Sequence, residues 1–266
     1  MSVTTETQMI GDLTEEEKAG APKPPKRRIT LRRFLTPVVV VLLLAALLLW
    51  VSTLDLDSIE QRTLNLDYIL RRTGEHLSLT VVASALVALL AIPTGILLAR
   101  TRAKAVRGSV LAIASVGQAT PAVGVVILLA IVWQTGYTTA LVALVIYAFL
   151  PVLRNTLIGI QQVDPSVTES ARGMGMTRNQ VLTRIELPLA VPVILAGLRT
   201  SLVFAVGVAT IATFINAGGL GDMIVNGLKL QRYPVLVVGA VLVACIALLI
   251  DWIAGIAEDL LTPKGV

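Results

Sequence analysis

Two long runs without a charged residue restrict the fold of this chain more than any other feature. Leu35 to Leu54 is a run of twenty uncharged residues, and Leu77 to Ala99 is a run of twenty-three. A helix needs about 20 predominantly apolar residues to cross about 30 Å of hydrocarbon. The chain is 55% hydrophobic and 15% charged, whereas soluble domains carry roughly 25% charged residues. These values exclude an ordinary soluble domain and predict a polytopic membrane protein.

The predicted spans are helices, because the apolar runs are long and lack the strict alternation of barrel strands. The uncharged stretch from Gly108 to Leu153 is too long for one span. Trp133 and Tyr137, two aromatic residues of interfacial type, divide it together with a glycine turn. The fold class is therefore all-α, with about six transmembrane helices at 35–54, 77–99, 108–132, 135–153, 190–214 and 235–257.

Lysine and arginine are distributed unevenly between the two sides of these spans. Sixteen of them lie before the first span, after the second, after the fourth and after the sixth. Five lie on the opposite side, where six acidic residues dilute them. The positive-inside rule places the richer side in the cytoplasm, and both chain termini with it.

The chain divides into three predicted regions. Residues 1–30 combine three glutamates in a row with three prolines, which predicts a disordered cytoplasmic tail. Residues 31–75 contain the first span, which is too long for a signal-peptide core, followed by leucines and isoleucines among charges. The stretch 55–75, in which these leucines and isoleucines lie, is either an interfacial helix or a plain extracytoplasmic loop. Residues 76–260 form the main transmembrane domain, and His76 at its start is expected to be solvated.

The segment 154–188, between the fourth and fifth spans, is too long and too ordered for a simple connector. Each of its charged residues would cost about 2.5–3.5 kcal/mol at the centre of a membrane helix, so the segment stays outside the bilayer. Asp164 before Pro165 predicts a helix start, and Gly173 and Gly175 end that helix. A second helix starts with Thr177 and Gln180 as a capping box and is expected to end at Pro188.

The second of these helices has an apolar stripe formed by Val181, Leu182 and Ile185. A short helix held off the membrane by charges has no core of its own in which to bury such a stripe. It either docks into a groove on a partner protein or lies on its own transmembrane bundle. The spacing alone leaves both interpretations open.

Six residues at fixed offsets in this segment match the EAA loop of bacterial ABC-importer permeases: Glu169, Ala171, Gly175, Ile185, Leu187 and Pro188. The only departure is Ser170, where alanine is usual. Four further stretches resemble the glycine betaine/carnitine/choline branch of these permeases, and they begin at Ala171, Leu187, Ala196 and Ala217. The resemblance covers about residues 75–260.

The resemblance implies a fold like that of type I ABC-importer permeases and a coupling role for the six residues. In that family the loop lies in a cleft of a cytoplasmic ATPase. Glu169 either pairs with a basic group there or caps the loop. The implied partners are two ATPase subunits, a second permease (identical or paralogous) and an extracytoplasmic substrate-binding protein. ATP is then hydrolysed by the partner, and this chain, in a bacterial cytoplasmic membrane, binds no cofactor and is not an enzyme.

The cargo implied by the resemblance is a compatible solute with a quaternary ammonium group. A permease for methionine, ergothioneine or another small solute is the alternative. An ion-coupled carrier is disfavoured, because such carriers usually show intramembrane Asp, Glu or His residues and repeated halves. A membrane enzyme is disfavoured because no catalytic cluster is evident.

Several signatures are missing from the sequence. It has no G-x-x-x-x-G-K-[ST] loop for ATP and no H-E-x-x-H motif. One cysteine and one histidine make a metal site improbable, and basic residues in short patches between spans exclude nucleic acid as the partner. The candidate pathway or gate residues are Gln118, Pro121, Arg199, Asn216, Gly218, Gly219 and Gly221. Their alternatives are helix packing for the first two, a structural hydrogen-bonding role for Arg199, and a flexible loop for the rest.

Overall fold

Helices make up almost all of the chain that the computed structural model describes, residues 32–262. The predicted tail, residues 1–30, lies outside this range. The prediction of an all-α fold is confirmed. In chain order the helices are α1 (Arg32–Ser52), α2 (Ser58–Thr63), α3 (Leu66–Arg100), α4 (Lys104–Ala119), α5 (Ala122–Val132), α6 (Tyr137–Gln161), α7 (Pro165–Gly173), α8 (Arg178–Val181), α9 (Leu187–Ala209), α10 (Gly221–Lys229) and α11 (Tyr233–Leu261), with a π-helical turn at Leu182–Glu186 and a 3-10 turn at Ile211–Ile215.

Five helical segments of the described chain are long and apolar enough to cross a membrane: α1, α3, α6, the run Arg178–Ala209 and α11. Helices α4 and α5 form a sixth candidate, but they meet at a bend of 97°. A pair bent so sharply either crosses the membrane as a broken span or turns back to the side on which it entered. The contacts of the neighbouring helices distinguish these two cases.

The α4–α5 pair crosses the bundle. Helices α3 and α6 are parallel, because Ser78 in the first half of α3 lies beside Tyr137 at the start of α6, and Gly95 lies beside Thr156 near the ends of both helices. The chain must therefore return between Arg100 and Tyr137, and only α4 and α5 lie in that interval. The pair is a broken span, and the described chain crosses six times.

We call the end of the bundle at which α6 ends, at Gln161, the loop end, and the opposite end the far end. Helix α9 runs back from the loop end to the far end. Gly197 on α9 lies against Asn155 of α6, and the carbonyl of Ile215, beyond α9, accepts a hydrogen bond of 2.7 Å from the N–H of Gly136.

The first and last spans show on which side the chain enters and leaves the bundle. Leu47, near the end of α1, packs with Leu220 and Val235 at the far end. The part of α1 from Thr36 onward therefore runs away from the loop end, and α11 returns to it. Both outer ends of the bundle lie on the same side as segment 154–188, as an even number of crossings requires.

A proline breaks the third span. Pro121 has no N–H to donate to the carbonyl of Gly117, and its ring displaces the preceding turn. Thr120 closes α4 instead, with its backbone nitrogen 3.1 Å and its hydroxyl 2.8 Å from the carbonyl oxygen of Val116. The span predicted at 108–132 is therefore present as two helices rather than one.

The region predicted at 55–75 as an interfacial helix or a loop contains α2 and the first turns of α3. Asp57 and Glu60 form a capping box at α2, and the side chain of Asn65 accepts a hydrogen bond of 2.8 Å from the N–H of Tyr68 at the start of α3. The second span therefore begins before residue 77, and the predicted boundary between residues 75 and 76 falls inside α3.

The prediction that His76 is solvated is wrong. Its side chain is fully buried, because α3 starts ten residues earlier and the chain near Gly219 covers its imidazole. A Cβ atom on Gly219 would lie 3.2 Å from the Nδ1 atom of His76. No local pattern around His76 indicates this cover, which comes from a segment more than 140 residues away.

Small residues set the spacing of α3, α6 and α9 at the centre of the bundle. A Cβ atom on Gly95 of α3 would lie 2.7 Å from the Cβ atom of Thr156 on α6. A Cβ atom on Gly159 of α6 would lie 3.2 Å from that of Ala190 on α9. Such residues bring helix backbones close together, which is how membrane helices commonly associate.

We expect Gly95→Ala to lower the free energy of unfolding by about 1–3 kcal/mol, the usual range for overpacking. Gly74→Ala on the same helix is the matched control, since no atom lies within 4 Å of the added methyl group. It should be neutral or stabilising by up to about 1 kcal/mol. Unfolding of the purified chain in detergent measures both, and equal effects would contradict the close contact of α3 with α6.

Candidate functional site

The elbow, which we define as residues 164–188, begins with a capped helix. The side chain of Asp164 accepts a hydrogen bond of 2.8 Å from the backbone N–H of Ser166, and Pro165 occupies the first turn of α7. The hydrogen bond from the Ser166 N–H lowers the pKa of the Asp164 carboxyl, so the cap stays ionised at neutral pH. This part of the sequence prediction is confirmed.

A tight turn at Gly175 separates the two helices of the elbow. Gly175 has φ +88°, a conformation that L side chains rarely adopt. Its N–H donates to the carbonyl of Arg172 at 2.9 Å, and the N–H of Met176 donates to that of Ala171 at 3.1 Å. No atom lies within 4 Å of a Cβ atom built on Gly175. Glycine is therefore needed here for its backbone conformation, and not for lack of space within the chain.

The second helix starts as predicted. The side chain of Thr177 accepts from the N–H of Gln180 at 3.3 Å, and the side chain of Gln180 accepts from the N–H of Thr177 at 2.8 Å. These reciprocal hydrogen bonds are the capping box that the sequence indicates.

The prediction that Pro188 ends this helix is wrong. The chain forms a π-helical turn at Leu182–Glu186, and the N–H of Leu187 donates to the carbonyl of Leu182. The extra residue in this turn accommodates the N–H that Pro188 lacks. The helix therefore continues through the proline, and Arg178–Ala209 is one run of 32 residues.

The apolar stripe of the second elbow helix lies on the chain's own bundle. Val181 and Leu182 are buried, and Leu182 packs in a cluster with Ile160, Ala190 and Ile194. The end of α3 also holds this helix, since the guanidinium of Arg100 donates to the Oδ1 atom of Asn179 at 2.8 Å. Of the two interpretations of the stripe, the contacts in this chain therefore support packing on the bundle.

The six residues that match the EAA loop differ in exposure. Glu169 and Gly175 are exposed, Ile185, Leu187 and Pro188 are half-buried, and Ala171 is buried. Within the described chain, Glu169 has no hydrogen bond or ion pair, so it does not cap the loop here. The side chain of Met174, at the tip of the elbow, is 73% exposed. The surface that the elbow presents is therefore its tip, around Glu169, Met174 and Gly175.

Two of the candidate pathway residues, Gln118 and Pro121, lie at the break between α4 and α5. Gln118 is half-buried and Pro121 is exposed. Beyond the break, Val126 of α5 packs in one apolar cluster with Ala212 and Ile215 of the 3-10 turn. The structure thus links the broken span to the end of α9 at the far end of the bundle.

The far-end loop that contains the candidates Asn216, Gly218, Gly219 and Gly221 has a constrained backbone. Asn216 has φ +59°, and Gly218 and Gly219 have φ +81° and +89°. A Cβ atom on Gly221 would lie 1.9 Å from the carbonyl oxygen of Thr210. Each of these three glycines is therefore required either by its φ value or by the close approach of another backbone segment.

Charged groups of α3 and α10 fix this loop in place. The Glu75 carboxylate accepts from the N–H of Gly219 at 2.9 Å and pairs with Arg72 at 2.9 Å. Arg72 also pairs with Asp222 of α10 at 2.7 Å, and Asp222 accepts from the hydroxyl of Tyr68 at 2.7 Å. The loop is thus bound to the first turns of α3, which the sequence did not indicate.

Arg199, the remaining pathway candidate, forms a two-point ion pair with Asp251 of α11. Its Nε and Nη2 atoms lie 2.6 and 2.7 Å from the two carboxylate oxygens, and its Nη1 atom lies 3.5 Å from Glu258. The structure does not bring Arg199 near the broken span or the far-end loop. The sequence places Arg199 and Asp251 in two different predicted spans, and two opposite charges inside spans are a signal for an ion pair. The pairing of these two residues was not predicted from the sequence.

The described range of the chain contains no group of three or more His, Cys, Asp or Glu side chains that could hold a metal ion. Six crossings, one of them broken, together with an ordered helical elbow between the fourth and fifth crossings, define the class of protein as a polytopic all-α membrane protein with a structured loop outside its spans.

The fold matches chains of solved bacterial ABC importers. One is a chain of the MetNI methionine ABC transporter in inward facing conformations, with a TM-score of 0.65 and 23% identity, covering 73% of this chain and 96% of that one. Another belongs to a bacterial ABC transporter involved in the import of the acidic polysaccharide alginate, with a TM-score of 0.60, 22% identity and coverage of 88% and 96%. The fold is that of an ABC-importer transmembrane subunit.

Sequence comparison gives the family. Residues 91–263 match the model of the binding-protein-dependent transport system inner membrane component, and the chain belongs to this family. It is 40% identical over 197 residues to the glycine betaine/carnitine/choline transport system permease protein OpuCB of Bacillus subtilis (strain 168), covering 74% of this chain and 90% of that protein. It is 42% identical over 198 residues to the carnitine transport permease protein OpuCB of Listeria monocytogenes, with the same coverage.

We expect Arg199→Gln to destabilise the chain by about 1–3 kcal/mol, because it leaves two carboxylates of α11 without their cation in the membrane. The exchanged pair Arg199→Asp with Asp251→Arg should recover at least half of that loss. Thermal unfolding of the purified variants measures both effects. If the exchanged pair is less stable than the Arg199→Gln variant, the ion pair is not what joins α9 to α11.

Proposed function

We propose that this chain is the transmembrane subunit of an ATP-driven importer and couples to a separate ATPase through its elbow. The observation that carries the proposal is the continuity of the elbow with a membrane span, over the 32 residues from Arg178 to Ala209. At about 1.5 Å per residue, this helix is about 48 Å long. A displacement of the elbow is therefore transmitted along the span to the far end.

The exposed tip of the elbow is the surface for the ATPase. Glu169 offers a free carboxylate, and the turn at Gly175 presents its backbone without side-chain cover. The other matching residues, Ala171, Ile185, Leu187 and Pro188, support the elbow from within or at its base. ATP-driven closure of two ATPase subunits would then move the elbow and shift the spans between inward-open and outward-open states.

The cargo we propose is a compatible solute with a quaternary ammonium group, such as glycine betaine, choline or carnitine. The support is the identity of about 40% to permeases that are named for these solutes, over nine tenths of their length. A permease for another small solute, such as methionine, is the second candidate. The methionine transporter shares the fold at 23% identity, which does not extend to its cargo.

The translocation pathway is proposed to pass the break between α4 and α5. Pro121 leaves the carbonyl of Gly117 without its helical donor, and the end of α4 carries a partial negative charge of about half an electron. These groups carry partial negative charge and therefore suit a cation. The far-end loop at Asn216–Gly221 is the proposed gate on the opposite side, linked to the break through the packing of α5 on the 3-10 turn.

The family of the chain supports a proposal for the remaining partners. A substrate-binding protein delivers the cargo at the far end, a second permease subunit completes the pathway, and ATP is bound and hydrolysed only by the ATPase. The loop end is proposed to face the cytoplasm of a bacterial cell, with both chain termini, because the basic residues concentrate there. We propose that this chain itself carries no cofactor.

We expect Gly175→Val to reduce copurification of the ATPase by about tenfold or more, because valine cannot adopt φ +88° without strain. Gly173→Ala is the matched control, since Gly173 has a helical backbone and no atom within 4 Å of an added methyl group. It should copurify normally. Pull-down of the ATPase by the tagged permease measures both, and normal recovery with Gly175→Val would exclude this coupling site.

Uptake of radiolabelled glycine betaine, choline and carnitine in a deletion strain tests the cargo. We expect at least one of the three to be lost on deletion and restored by the wild-type gene. Restoration by the Gly175→Val variant should fail even though the protein inserts normally. Unchanged uptake of all three solutes, with loss of methionine uptake, would replace the proposed cargo by the second candidate.

A further inference from the structure

A cavity of about 530 Å³ lies at the loop end, where the ends of α3 and α6 meet the elbow. We call it the arginine cavity, because guanidinium groups dominate its lining. Its volume falls within the range of about 300–1,000 Å³ that is typical of small-molecule sites. It is lined by Ala99, Arg100, Arg102, Ile160, Gln161, Arg172, Arg178 and Glu186.

The charges around this cavity are not balanced within the described chain. Four guanidinium groups face one carboxylate, that of Glu186, which gives a formal charge of +3. Residues 32–262 supply no ion pair for any of the four arginines. Arg100 instead uses neutral partners, the Oδ1 atom of Asn179 and the carbonyl of Arg178.

Helix ends reduce this positive charge but do not remove it. The carboxyl ends of α3 and α6 each contribute about −0.5, and the amino end of the helix that starts at Arg178 contributes about +0.5. The net charge therefore stays between about +2 and +3. All four arginines are exposed, so water screens part of their mutual repulsion, and an anion bound among them would offset what remains.

The cavity adjoins the end of a candidate membrane span. Arg100 is the last residue of the membrane helix α3, and Arg102 follows directly after the span. Ala99 and Ile160 give the cavity an apolar wall where it meets the packed interior of the bundle. Headgroup phosphates occupy the zone just outside the hydrocarbon core, so they are the anions available at this depth. The cavity is far larger than a single carboxylate side chain of a partner protein requires.

We propose that the arginine cavity binds a phosphate-bearing anion, supplied by the headgroup of an anionic lipid at the loop end. Guanidinium groups bind phosphate oxygens through two parallel hydrogen bonds. A phosphate held by Arg172 of the elbow and by Arg102 beyond α3 would join the elbow to the membrane surface. This binding requires neither the cargo nor the ATPase, so its test is independent of the proposed function.

The test measures lipid retention by the full-length permease in detergent, using native mass spectrometry during titration with dioleoylphosphatidylglycerol. Wild type should hold one such lipid per chain in excess dioleoylphosphatidylcholine. Arg102→Gln with Arg172→Gln should raise the apparent Kd about thirtyfold, the expected effect of removing two basic residues near an anionic surface. This double variant keeps Arg100, which contacts the second elbow helix, and Arg178, the first residue of that helix.

Two further double variants separate lost binding from lost folding. Arg102→Lys with Arg172→Lys keeps both charges and should stay within about fivefold of wild type. Arg154→Gln with Arg184→Gln removes two arginines from the same side of the chain but outside the cavity, and should stay within about twofold. Equal loss of lipid in this control and in the cavity variant would overturn the proposal.

Titration with inorganic phosphate decides the source of the anion. Inorganic phosphate alone could bind with the same dependence on Arg102 and Arg172 while the lipid does not bind. In that case the cavity is a phosphate site, and the proposal that a lipid supplies the phosphate is wrong. If neither ligand binds, the proposal is wrong. If addition of the ATPase expels the lipid and the cavity variant also loses the ATPase, the cavity serves acidic groups of that partner, and the proposal fails.

Discussion

The unbroken helix that joins the elbow to the fifth span is the constraint on which the rest of the structure depends. A proline at position 188 would normally end an α-helix, yet the π-helical turn at Leu182–Glu186 lets the helix continue to Ala209. Burial of Val181 and Leu182 against the bundle and the hydrogen bond from Arg100 to Asn179 then fix its direction. A rigid elbow of this kind can transmit force, whereas a hinged loop could not.

Ion pairs attach this long helix and its neighbours to one another. Arg199 and Asp251 join α9 to α11 near the loop end, and Arg72 and Asp222 join α3 to α10 at the far end. A charge without its partner is costly in a membrane, so each pair favours one arrangement of its two helices. The spans that move with the elbow are therefore connected at both ends of the bundle.

Within residues 32–262, α4 and α5 are the one pair of helices that together form a candidate span and are bent by more than 40° at a break. Helix α5 leaves α4 at 97° and packs on the 3-10 turn that follows α9. The end of the helix that carries the elbow thus contacts α5, the helix that follows the break. This contact provides a physical route from the elbow to the proposed pathway, and the constrained glycine loop beside it closes the far end.

The sequence by itself determined the class of fold, the six crossings and the start of both elbow helices. These features depend on residues that are neighbours in the sequence. They are uncharged runs of about 20 residues, prolines, and helix caps such as Asp164 and Thr177. Only the tertiary structure decided the burial of His76, the pairing of Arg199 with Asp251, the continuity through Pro188 and the convergence of four arginines on one cavity. Each of these depends on groups many residues apart, and no local pattern records which distant segment will cover or pair with a given side chain.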